Sequence, residues 1–105
     1  MTIYAVQYAL RPAPHSEDFA TVGGAIVHSL VRADTPEAAH AAAMAYFRDD
    51  GWELVAVEHP PSPVARAQCE DDPEFLDAWD EAEAHGECHL FHLWPPGGED
   101  DAPLH

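Results

Sequence analysis

Four short segments of this chain alternate their side chains with a period of two, and two stretches between them carry one apolar stripe each at helical spacing. The order reads strand, strand, helix, strand, helix, strand. A helix with a single stripe must bury it against something flat, and four short strands supply one sheet. The strands are residues 2–10, 25–33, 52–59 and 87–94. In the first, Tyr4, Val6, Tyr8 and Leu10 share a side. In the second, Ile26, His28, Leu30 and Arg32 share one side, and Val27, Ser29 and Val31 the other.

The first helix runs from Pro36 to Asp50 and is rich in alanine, the residue that gives up least on entering a helix. Ala39, Ala43, Tyr46 and Phe47, with Ala42 beside them, form its stripe. Its start is open to two caps: Asp34 with Glu37 completing a box, or Thr35 with Pro36 in the first helical position. Gly51 closes it. Asp71-Asp72-Pro73-Glu74 opens the second helix, which ends near His85-Gly86 and carries Phe75, Leu76, Trp79 and Ala82 as its stripe. Pro60-Pro61-Ser62-Pro63 is expected to stop the third strand, because proline removes ladder donors.

These elements predict an α+β two-layer sandwich: a four-stranded, mainly antiparallel sheet with both helices on one face. Such an arrangement resembles the ferredoxin-like group or a related ββαβαβ order. One domain is expected over residues 1–94, and a flexible acidic tail over 95–105, where Pro-Pro, Gly-Gly and Glu-Asp-Asp follow one another.

In a two-layer sandwich the uncovered sheet face meets water and should be polar. Here it is not. Ile3 and Ala5 lie opposite Tyr4 and Val6, Val55 and Val57 opposite Trp52 and Leu54, and Phe91 and Leu93 opposite Leu90 and Trp94. Apolar surface on the second side predicts a homodimer joined through the open sheet face, the alternative being that the loop over 11–24 or 60–72 folds back across it.

Charge narrows the partners. Four arginines and no lysine stand against 20 Asp and Glu, a formal charge of -16. That field repels nucleic acids and anionic membranes, so neither is expected as a partner. No apolar run approaches the roughly 20 residues that span a bilayer. The start lacks the basic and long apolar regions of an export signal, and two cysteines are too few for a disulfide scaffold, so a cytoplasmic location with reduced thiols is expected.

Chemistry has few places to occur. His85-Gly86-Glu87-Cys88-His89-Leu90-Phe91-His92 is dense in imidazole and thiol ligands of the kind zinc accepts. Strand geometry separates them, however. Cys88 and His92 share a side but lie roughly 13 Å apart, and His89 points the other way. A metal site therefore needs neighbouring strands, and His28, His59 and His89 are the candidate ligands under a suitable register. Cys88 and His89 face opposite sides, which disfavours a thiol–imidazole nucleophile. No cofactor-binding motif is present, and whether the chain is an enzyme is left open. The composition and patterning favour a non-enzymatic homodimeric binding or regulatory domain. The alternatives are a small-molecule enzyme with a histidine and a carboxylate converging in a pocket between sheet and helices, and a transition-metal-binding protein using strand histidines.

Overall fold

A computed structural model describes residues 1–16 and 19–95. Its elements are β1 (Thr2–Pro12), β2 (Gly24–Ala33), α1 (Pro36–Asp49), β3 (Trp52–Pro63), a 3-10 turn (Arg66–Cys69), α2 (Pro73–His85) and β4 (Glu87–Trp94). The fold is α+β, with one four-stranded sheet ordered β3-β1-β2-β4, antiparallel at every junction, and two helices packed on it. The ββαβαβ order is as the sequence predicts, consistent with a ferredoxin-like type of arrangement. The expected acidic tail lies outside the described residues beyond Pro95.

Local chemistry fixes the helix ends. Thr35 is the cap of α1: its backbone is extended, its Oγ1 accepts from the Ala38 N–H at 3.0 Å, and Pro36 fills the first helical position. Asp72 caps α2 by accepting from the N–H groups of Glu74 and Phe75. Gly51 and Gly86 follow the two helices with φ of 84° and 102°, where a side chain would be strained. At the far end of α2, Arg32 Nη1 donates to the Glu83 carbonyl, placing a cation at the negative end of the helix dipole.

Pairing decides which side each strand residue faces. Ala5 pairs with Leu30, Gln7 with His28 and Ala9 with Ile26, so odd residues of β1 share a side with even residues of β2. The other side carries Tyr4, Val6, Tyr8, Leu10, Ala25, Val27 and Val31, and these form one buried cluster with Ala39, Ala43 and Phe47 of α1. Ile3 and Leu30, on the first side, form a second cluster with Ala78 and Ala82 of α2, flanked by Phe75, Trp79, Cys88 and Leu90. Within the fold class, the seat of α2 therefore differs from the two-layer expectation, since each helix packs on its own side of β1 and β2. The physical reason lies in those central strands. They are apolar on both sides, and the chain's own second helix covers part of the surplus.

The third strand also runs further than its prolines predict, pairing Ser62 with Ala5 and Pro63 with Tyr4. β3 is an edge strand, where a missing N–H can face solvent, and register shifts between Ala5 and Tyr8 absorb the misfit. Beyond it, Arg66 holds Asp80 through two hydrogen bonds of 2.8 and 3.1 Å, and Trp79 Nε1 donates to the Val64 carbonyl. These contacts fasten the connection to α2.

One glycine is required by close packing. The Trp94 indole lies over Gly24, where a Cβ would stand 2.6 and 2.9 Å from ring atoms and 3.0 Å from the Leu10 carbonyl. Gly24→Ala is expected to lower stability by about 1–2 kcal/mol as the ring is displaced, read by thermal unfolding together with a changed tryptophan fluorescence. Unaltered fluorescence and melting would show that the ring is not held there.

Candidate functional site

Two arrangements deserve comparison, one on each side of the sheet. Under α1, β2 and β4 bring Ser29 opposite His89. Ser29 Oγ lies 2.7 Å from His89 Nδ1, and His89 Nε2 lies 2.6 Å from Glu87 Oε1. The Glu87 carboxylate can only accept, so Nε2 carries the proton, and in the neutral ring Nδ1 accepts from the serine hydroxyl. Tyr46 stacks on the imidazole at a centroid distance of 4.2 Å, and Phe47 meets it edge-on at 5.1 Å. Burial lowers the His89 pKa below the ordinary histidine value, while Glu87 and then Asp50 pull it upward.

Serine, histidine and carboxylate in a row invite a hydrolytic reading. Access decides against it. Ser29 is 0% exposed and the His89 side chain 3%. A substrate carbonyl has no approach to that hydroxyl, so the row is a satisfied polar network inside the core. The cysteines do not supply a better nucleophile: burial first, then nearby acids, raise the thiol pKa of both Cys69 and Cys88, which keeps the thiols protonated.

The other side is open where α2 stops. Past the Ile3–Leu30 cluster, β1 presents Ala5, Gln7 and Ala9, and β2 presents His28 and Ile26, all half-buried. Two cavities adjoin along this trough. One, of about 170 Å³, is walled by Ala5, Gln7, His28, His59 and Phe75. The other, of about 410 Å³, lies between Ala9, Arg11, Gly23, Ile26, Val55, Glu58 and Trp94. Arg11 is held by Glu53 across the strands at 2.9 Å. Among the described residues the buried Trp94 indole N–H has no hydrogen-bond partner, an uncommon state that a ligand, water or partner group normally relieves.

The expected histidine trio is divided. His28 and His59 lie on the α2 side, both in the wall of the smaller cavity, whereas His89 is on the α1 side bonded to Ser29. The imidazole that meets His28 is His92, at a centroid distance of 5.7 Å, and Phe75 lies against His28 at 5.2 Å. Burial, then His92, lower the His28 pKa, with Glu74 opposing and His59 adding to the fall. Among the described residues no group of three or more His, Cys, Asp or Glu is placed to hold a metal ion. Sequence reasoning missed His92 because one residue of register exchanges His89 for its neighbours on the opposite side.

Among the described residues no helix is long and apolar enough to cross a membrane. Comparison with known families, curated proteins and solved structures finds no match to this chain.

Proposed function

We propose that this chain is a non-enzymatic binding or regulatory domain that works in the cytoplasm as a homodimer, the second copy covering the part of the sheet that α2 leaves open. The carrying observation is the trough itself: an apolar floor of Ala5, Ala9 and Ile26 that stays half-buried with no element of the described residues across it, ending at an indole donor that no described residue pairs. A second copy removes that floor from water and brings polar groups within reach of Trp94. Two free cysteines suit a reducing compartment.

The charge of -16 on each copy opposes association, so screening salt should favour it. Sedimentation equilibrium is expected to show a dimer that tightens by about tenfold or more when sodium chloride rises from low to moderate concentration. Ile26→Asp should return it to monomer without unfolding. A wild-type chain that stays monomeric at high protein concentration and moderate salt overturns the reading.

A further inference from the structure

The free edge of β4 adjoins a groove unlike the trough. Among the described residues β4 pairs only with β2, so no described strand lies along its outer edge. Beside that edge, Glu74, Asp77 and Glu81 of α2 line a groove whose floor is Ala78, Cys88 and Leu90. The three acids recur at steps of three and four residues, one stripe of the helix, and all are exposed. On the other side of the same strand, Leu93 is 56% exposed and Tyr46 41%, both large apolar surfaces near the edge.

We propose that this edge receives an extended basic segment of a partner protein, which adds as a fifth strand with its Lys or Arg side chains toward the α2 stripe and its alternate apolar side chains toward Leu93 and Tyr46. A strand shows alternate residues to opposite sides, so one segment satisfies both surfaces only if basic and apolar residues alternate. Same-side residues of a strand repeat every ~7 Å, close to the ~5–6 Å between neighbouring acids on a helix stripe, and the length of a lysine covers the difference. The backbone pairs with the strand edge, the acids set the sign of the charge, and the apolar floor accepts the side-chain stems.

Other occupants fit less well. A second copy paired through β4 would set two acidic stripes side by side. Residues 96–105 of this chain contain three acids and neither lysine nor arginine, so they carry the wrong charge for the groove. The proposal does not rest on the homodimer, because the groove of Glu74, Asp77, Ala78, Glu81, Cys88 and Leu90 shares no lining residue with the trough assigned to the second copy.

The probe is a capped eight-residue peptide of alternating lysine and valine, titrated against the whole chain by fluorescence anisotropy. Binding should be saturable and weaken with salt. Joint substitution Glu74→Gln, Asp77→Asn and Glu81→Gln should weaken it by about tenfold or more. Neutralising three exposed acids elsewhere, Asp34→Asn, Glu37→Gln and Asp49→Asn, should change it by less than about threefold. A peptide of the same composition with its lysines in one block, and an alternating peptide N-methylated along one backbone edge, should each bind about tenfold more weakly. Equal losses from both sets of neutralisations, or equal binding of the block or methylated peptide, would mean general attraction to an acidic protein and overturn the proposal. So would no binding at millimolar peptide. All six substituted residues are exposed, and unchanged thermal unfolding of the variants keeps the comparison valid.

Discussion

Replacing Phe47 with alanine is expected to cost about 3–5 kcal/mol, the largest loss available from one side chain of α1. Phe47 is 2% exposed and is the one large residue in that helix's buried stripe, since Ala39 and Ala43 supply closeness rather than bulk. Its ring meets Tyr8 edge-on at 5.3 Å, Tyr46 at 5.8 Å, His89 at 5.1 Å and Phe91 at 6.1 Å. Truncation strips contacts from β1 and β4 at once, and rigid neighbours fill the void poorly. A domain of this size commonly holds about 5–15 kcal/mol in all, so the variant should sit near the edge of folding. Chemical denaturation measures it: a midpoint lowered at unchanged slope is expected, and Phe47→Leu should recover more than half of the loss. A loss below about 1 kcal/mol would mean that α1 is not anchored at this point.

That anchoring is also the part of the fold most open to sequence reasoning. Tyr4, Val6, Tyr8 and Leu10 alternate on β1, and Ala39, Ala43 and Phe47 recur at helical spacing, so each surface announces the other. The seat of α2 was hidden for a physical reason. Ile3 and Leu30 are apolar on the side opposite α1, and such a surplus looks the same whether a partner or the chain's own helix covers it. Pro60, Pro61 and Pro63 misled similarly, because the damage a proline does depends on whether its strand is at an edge, and the edge is set by the order of pairing. The candidate site needed that order still more. Neither the Ser29–His89 bond nor the meeting of His28 with His92 follows from composition or spacing along one strand; both follow from the register of β2 against β4.

The Ser29–His89–Glu87 row carries the second large effect, and it has two readouts. His89→Ala is expected to cost about 3 kcal/mol at neutral pH, since it removes a packed ring from between Tyr46 and Phe47 and leaves the Ser29 hydroxyl buried with no acceptor. The wild-type chain adds a pH dependence. Burial holds the folded-state pKa of His89 below its unfolded value, so between the two the unfolded chain binds more protons and stability rises with pH. His89 therefore contributes fully above an unfolded histidine pKa of about 6.5, and the contribution is lost as the pH falls through the lowered folded value. His28 is shifted in the same direction and adds to the same window. Melting measured from about pH 7.5 down to about pH 5 should fall in the wild type. It should fall less steeply in a variant such as His89→Gln, which keeps a polar group beside Ser29 without a titrating ring. Glu87 pulls the other way, so Glu87→Gln should lower the His89 pKa further and steepen the fall below pH 6, whereas a structural role for the carboxylate alone would shift the melting equally at every pH. A pH profile identical in wild type, His89→Gln and Glu87→Gln would remove the buried imidazole from the account of acid sensitivity.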